Sequence, residues 1–251
     1  MQIKNTIFIG KVLLHFPDLP STNVYAQELL SKSRPSEGTV IITDHQTAGR
    51  GQIGSSWQSE DKKNLTLSLI LFPKFIAANA QFILSQAIAL AVRAFIAQYC
   101  KAPVYVKWPN DVYVGNRKIA GILIQNTLSG KNIQSTVAGM GININQTIFD
   151  PSITNVTSLL QETQTEFNLS DLLPMLLQEI ESFYLKLKNG RIDWIRRTYL
   201  SHLYQYQEWA MYQKKDGTVI KGQIVGVTPQ GQLCLQHQKT EYFDLKEIKF
   251  L

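Results

Sequence analysis

The stretch between Val112 and Met140 restricts the fold more than any other part of this chain. Val112-Tyr113-Val114 and the run 117–125 flank Gly115-Asn116, the dipeptide of a two-residue hairpin turn, and a further strand-like run, 133–140, follows Gly130. Parallel neighbours need a crossover of about a dozen residues or more, and these connections leave no room for one. The sheet is therefore antiparallel or mixed, with helices covering one face, and a doubly wound parallel fold is set aside.

The flanking segments supply the remaining elements. Residues 11–16 read as a strand, and Ser21 or Thr22 is a good N-cap for a helix to about Leu30. Residues 39–43, 65–72 and 104–108 are strand-like, while 78–100, 169–188 and 193–202 carry helical periodicity. After a boundary near 205–208 the texture changes to short strands with Asp216-Gly217 and Pro229-Gln230-Gly231 turns. The expected organisation is an α+β main domain, 1–205, and a small barrel-like module, 206–251, too small to be stable undocked.

Charge and cysteine usage narrow the function classes. The net charge is +6, but the basic residues form no stripe with interleaved aromatics, so nucleic acid is not the expected partner. Cys100 and Cys234 are too few for a disulfide framework and fit two buried thiols in a reducing compartment. The N-terminus lacks a signal-peptide pattern, which points to the cytoplasm. The most apolar stretch, 82–100, is interrupted by Ser85, Gln86, Arg93 and Gln98, as in a half-buried helix, and no membrane span is expected.

Gly49-Arg50-Gly51-Gln52-Ile53-Gly54 matches G-x-G-x-x-G and has the outer spacing of a P-loop. Both motifs need a helix directly after the glycines to receive phosphate, yet Trp57 and a polar stretch lead into a strand. Ser55 stands where the P-loop lysine belongs, and no acidic residue follows at about twenty positions to hold a ribose. The residues alone leave two readings open: a loop whose N–H groups and Arg50 meet an anion, and a flexible surface loop. Trp57 reads as an aromatic that packs the loop shut.

In Lys107-Trp108-Pro109-Asn110-Asp111 a proline breaks the strand where Lys, Asn and Asp gather. A two-residue turn at Gly115-Asn116 pairs Tyr113 with Lys118 and Asp111 with Ala120, which puts Asp111, Tyr113 and Lys118 on one face. Lys118 and Asp111 would be an ordinary surface ion pair, except that Lys118 enters the small, apolar run Ile119-Ala120-Gly121-Ile122-Leu123, where a cation needs an anion. Gly139 and Gly141 suggest either close approach of a ligand or a bulge.

Taken together, Ser21-Thr22-Asn23, Gln46-Thr47-Ala48-Gly49-Arg50-Gly51 with Trp57, Lys107 to Asp111, Lys118-Ile119-Ala120-Gly121 and Gly139-Met140-Gly141-Ile142-Asn143 occur in the order seen in biotin protein ligases. The chain resembles that family over nearly its whole length. The resemblance implies a class II synthetase-like catalytic domain with a C-terminal SH3-like barrel. There is no room before Ser21 for a DNA-binding winged helix, which implies the ligase-only type.

The resemblance further implies that biotin attacks the α-phosphate of magnesium-bound ATP, and that a lysine of a biotin carboxyl carrier domain then attacks the adenylate. Ser21, Thr22, Asn23 and Gln46 would contact the biotin head, and Gly49, Arg50, Gly51, Gln52 and Trp57 would lie along its carboxylate and the phosphate, with Gly121, Gly139 and Gly141 also on the biotin site. Lys118 would be the electrophilic catalyst, assisted by Arg50. Lys107, Asn110, Asp111 and Asn143 would hold ATP, Asp111 also serving its Mg2+. Neither DNA nor a membrane is an expected partner, and monomer and homodimer are both compatible with the sequence.

Many members of that family carry Arg-x-Gly-Arg after the Gly-Arg-Gly, whereas this chain has Gln52, Ile53, Gly54 and Ser55. The expectation is a loop that retains its adenylate less tightly. A lipoate or octanoate ligase is the nearest rival, but should favour an apolar acyl tunnel over the polar Ser-Thr-Asn cluster. A biotin-sensing regulator and a pyridine-nucleotide oxidoreductase are the rivals from other classes.

Overall fold

The computed structural model describes residues 3–52 and 55–251. Its strands and helices run in the order β1 (Leu13–Leu19), α1 (Thr22–Lys32), β2 (Val40–Gln46), β3 (Asn64–Leu71), α2 (Phe82–Ala97), β4 (Val104–Lys107), β5 (Asp111–Val114), β6 (Arg117–Ser129) and β7 (Asn132–Asn143). There follow α3 (Leu159–Thr163), α4 (Leu169–Lys188), α5 (Ile192–Ser201), β8 (Trp209–Lys214), β9 (Val219–Val227), β10 (Leu233–Gln236), β11 (Thr240–Phe243) and β12 (Ile248–Phe250).

Among the described residues, β1 to β7 form a seven-stranded sheet in the order β1-β2-β3-β7-β6-β5-β4, and β8 to β12 form a five-stranded sheet in the order β11-β10-β9-β8-β12. Among the described strand pairs only β1 and β2 run parallel, and α1 is the crossover that joins them. The other neighbours are antiparallel, as the short connections require. Gly115 has φ +58 and Gly130 φ +59, the left-handed backbone that their two turns demand.

The helices cover both faces of the large sheet, not one. On one face, α2 and α4 pack against Leu65, Leu67, Leu69 and Leu71 of β3, all fully buried. On the other, Ala26 of α1 meets Ile41, Ile70 and Val137. Every residue of β3 is consequently buried, although its letters alternate like a half-exposed strand. At 11 residues, α1 covers only part of its face. The uncovered remainder, beside the start of α1, is where the site lies.

By length and composition alone the stretch Ala78–Ala97 is apolar enough to cross a membrane, as the core helix of a folded domain also can be. Its packing decides the matter: 67% of it is buried, and α2 lies beside α4 and α5 and against β4, β5 and β6.

The small sheet shares this core through Tyr212, Ile224, Leu233 and Leu235. Trp108 Nε1 donates to the Gly231 carbonyl at 2.8 Å, and a Cβ at Gly231 would meet the Phe82 ring at 2.7 Å. At the other end of the molecule, the N–H groups of Ile7, Phe8 and Ile9 donate to the buried carboxylate of Glu181 at 2.6 to 2.9 Å. An acidic side chain survives inside α4 because three amides solvate it.

Candidate active site

The floor of the site is a row of missing side chains. Gly121 of β6 pairs with Gly141 of β7, Gly141 pairs with Thr66 of β3, and Gly139 pairs with Ser68. No register shift touches these positions in β7, so the glycines do not mark a bulge. They admit close neighbours from the protein itself. A Cβ at Gly141 would lie 2.2 Å from the Trp57 indole, one at Gly121 2.8 Å from the same ring, and one at Gly139 1.9 Å from Asn23 Oδ1. Trp57 thus lies on the floor, rather than merely closing the loop.

The start of α1 forms one wall. Ser21 stands at the N-cap position with extended backbone, but its hydroxyl does not close the helix. Gln46 of β2 does so instead, its Oε1 accepting from Thr22 N at 2.9 Å and Thr22 Oγ1 at 3.2 Å. Ser68 Oγ donates to Asn23 Oδ1 at 2.5 Å, and Asn23 Nδ2 donates to Gln125 Oε1 at 2.9 Å. Ser21, Thr22 and Asn23 are all buried and held in one polar cluster.

Lys118 reaches the site through a bulge that the turn length does not reveal. Tyr113 pairs with Lys118, but Val112 pairs with Ala120, so Ile119 is an extra residue on β6 and Asp111 is not opposite Ala120. The extra residue shifts the alternation, putting Lys118 on the same face as Gly121 and Leu123 while Ile119 and Ala120 are buried. Lys118 Nζ lies 2.6 Å from Asp111 Oδ2 and 5.7 Å from the Trp57 ring. Its backbone is pinned as well, donating to Asn155 O and accepting from Thr157 N.

The loop from Gly49 to Trp57 spends its amides differently from the expected anion cradle. Gly51 N donates to Ser55 O, and Trp57 N to Gly49 O, closing a small hairpin. Gly49 is held there by contact, since a Cβ would lie 2.2 Å from Trp57 O. Arg50 is exposed and reaches the cavity wall, while Gln52 Nε2 donates to Asn110 Oδ1 at 2.7 Å. Ile53 and Gly54, part of both nucleotide-loop matches, lie outside the described residues. After Trp57 the chain runs through a turn into β3, with no helix to receive a phosphate.

These parts enclose a cavity of about 130 Å³, lined by Ser21 to Asn23, Gln46, Arg50 to Gln52, Trp57, Thr66, Asp111, Lys118 and the three floor glycines. Small-molecule sites usually measure about 300 Å³ or more, and the Trp57 indole lies on the floor of this smaller cavity. Among the described residues, Thr66 Oγ1 and Trp57 Nε1 are buried without a hydrogen-bond partner, two polar groups that a ligand could satisfy. Arg50 and Lys118 face the cavity with Asp111 as the counter-charge, an arrangement able to stabilise an anionic transition state.

Three expected nucleotide residues, Asn110, Asn143 and Lys107, stand outside this wall. Asn143 is buried, and its Nδ2 donates to Thr157 O, tying down the segment that pins Lys118. Lys107 lines a second, larger cavity of about 660 Å³ that shares Gln52 and Asp111 with the first. Its ammonium lies 4.8 Å from the Tyr113 ring and 4.8 Å from that of Phe250, with Tyr204 at 5.8 Å. Burial lowers its pKa, opposed by the nearby Asp111 charge. Among the described residues no group of three or more His, Cys, Asp or Glu could hold a metal.

Thr66, Ser68 and Gln125 were not among the sequence candidates. The signal was present in β3, where Thr66 and Ser68 break a leucine-rich run at every second position, the period of one sheet face.

Comparison with known proteins places this geometry. The bifunctional ligase/repressor BirA of Bacillus subtilis is 28% identical over 92% of this chain and 71% of its own length. The biotin–[acetyl-CoA-carboxylase] ligase of Mycobacterium tuberculosis is 28% identical over 86% of this chain and 79% of its own. The Aquifex aeolicus biotin protein ligase, solved in complex with biotin and ATP, superposes with a TM-score of 0.78 at 26% identity, covering 95% of this chain and 98% of that one. Residues 16–143, which include the polar cluster, the glycine loop, Lys118 and the glycine floor, match the biotin/lipoate A/B protein ligase family, and the chain belongs to that family.

Proposed function

We propose that this chain is a biotin–protein ligase that activates biotin with ATP and transfers it to a lysine of a biotin carboxyl carrier domain. The relatives named above support the reading, and one feature of the site carries it: the β6 bulge brings Lys118 onto the glycine floor beside Asp111, across from Arg50. Residues 1–205 would be the catalytic domain and 206–251 an SH3-like module. The free thiols of Cys100 and Cys234 fit the cytoplasm.

In the first half-reaction a biotin carboxylate oxygen attacks the α-phosphorus of ATP, and the bond to pyrophosphate breaks. Lys118 and Arg50 lie where negative charge grows on the carboxylate and α-phosphate oxygens, and their charge there lowers the barrier. Asp111 holds Lys118 in place. In the second, the carrier amine attacks the acyl carbon, AMP leaves, and the amine gives up a proton. The buried Ser21-Thr22-Asn23 cluster, with Gln46 and Thr66, supplies the paired donors and acceptors that a polar ureido head requires. Trp57 must leave the floor to admit that head.

Magnesium fits as part of the nucleotide substrate, because Asp111 offers one carboxylate and, among the described residues, no group of three or more such ligands surrounds it. Lys107, in the larger cavity, would face the outer phosphates. The direct test is mass spectrometry of an apo carrier domain incubated with the protein, biotin and ATP. The carrier lysine gains biotin with the wild type and not with Lys118→Ala; an unmodified carrier with both would reject the reading.

A further inference from the structure

The loop that bears Arg50 is closed mainly on itself. Its backbone bonds run between Gly51 and Ser55, Gln52 and Ser55, and Gly49 and Trp57. Among the described residues, the only side-chain hydrogen bond leaving positions 49 to 57 is the one from Gln52 Nε2 to Asn110 Oδ1, at 2.7 Å. Gln52 is a neutral amide, so this attachment carries no charge.

The other end of that bond is rigid. Asn110 is 6% exposed and sits in the turn between β4 and β5. Its neighbours are tied to two separate elements: Tyr199 OH of α5 donates to Pro109 O at 2.7 Å, and Trp108 Nε1 donates to Gly231 O at 2.8 Å. Gln52 also lines both cavities, together with Asp111. The contact therefore stands at the partition where an acyl group on one side would meet a nucleotide on the other.

We propose that Gln52 is a positioning residue: its amide latches the glycine loop onto Asn110 and thereby holds Arg50, two residues away, over the reacting groups. The catalytic consequence rests on the adenylation reading; the latch itself does not. The bond needs a donor at position 52 but no charge, so an arginine there could make it equally well, and an apolar side chain of the same length could not.

Exposed Arg50 supplies the assay, since trypsin cleaves after it only when the loop opens. Cleavage is followed by mass spectrometry on the ligand-free full chain, with cleavage after Lys215, in the turn between β8 and β9, as the control for global unfolding. Gln52→Leu and Asn110→Ala should each raise the rate after Arg50 by about fivefold, the worth of one hydrogen bond, leaving Lys215 cleavage unchanged. The double variant should be no faster than either single one, and Gln52→Arg should match the wild type.

The catalytic readout is biotin-dependent exchange of pyrophosphate into ATP. Gln52→Leu should lower kcat by a larger factor than it raises the KM for biotin, and Gln52→Arg should restore kcat. Unchanged cleavage after Arg50 in both single variants, or additive effects in the double one, overturns the latch. A wild type without exchange but with the predicted cleavage pattern would count against the ligase reading alone.

Discussion

Gly139→Ala gives the sharpest structural test of the site. A Cβ at position 139 would lie 1.9 Å from Asn23 Oδ1, 2.7 Å from its Cγ and 3.0 Å from its Nδ2. Asn23 cannot withdraw, because Ser68 holds its oxygen at 2.5 Å, Gln125 holds its nitrogen at 2.9 Å, and the side chain is buried. Expelling it breaks both bonds, each worth ~1 kcal/mol, and adds overpacking of ~1–3 kcal/mol, for a total of roughly 3–5 kcal/mol. At ~2–4 °C per kcal/mol, the melting temperature should fall by roughly 6–20 °C. Biotin affinity, read by titration calorimetry below the transition, should fall with it. Gly141→Ala is the companion: its Cβ would strike Trp57, whose indole belongs to a loop and has no hydrogen bond to lose, so its melting point should drop far less. A Gly139→Ala protein that melts like the wild type, or a Gly141→Ala protein that melts lower than the Gly139→Ala one, would refute this reading of the floor.

Other perturbations separate catalysis from folding. Lys118→Ala should lower the rate of adenylate formation by roughly 10²–10³-fold with little change in biotin affinity, measured in single-turnover reactions. Because Gln52 adds no positive charge to the loop, the wild type should release more free adenylate in the absence of carrier than Gln52→Arg; equal release would contradict this. Burial, assisted by the Glu162 charge, raises the Cys100 thiol from 9.0 to about 11. The reactive thiolate thus forms only as pH rises past that value, and alkylation of Cys100 should reach half its maximal rate near pH 11, not 9. Glu181→Gln should destabilise the fold by roughly 2–4 kcal/mol in urea, since an amide cannot accept from the N–H groups of Ile7, Phe8 and Ile9 as the carboxylate does.

The parts of this molecule that local chemistry decides were legible in the letters. Gly115-Asn116 and Gly130 specified their turns, and those turns specified an antiparallel sheet. The glycine loop could be separated from nucleotide-binding loops because the strand after Trp57 is visible in the sequence. What tertiary packing decides was not legible. Nothing in 117–125 announces that Ile119 is an extra residue, because a bulge has no length signal when the turn is already short. Coverage of both faces depended on α1 being the crossover of a parallel pair, which no local pattern around 22–32 encodes. Gly139 and Gly141 suggested close approach of a ligand, or a bulge; the coordinates show no bulge and put the protein's own Asn23 and Trp57 against them. The Lys107 box needs Phe250, more than a hundred positions away.

Isotope exchange between pyrophosphate and ATP, with biotin, lipoate and octanoate supplied separately, shows which acid this site activates. Exchange should occur with biotin alone and be abolished in Lys118→Ala. Exchange driven by lipoate or octanoate and not by biotin would contradict this.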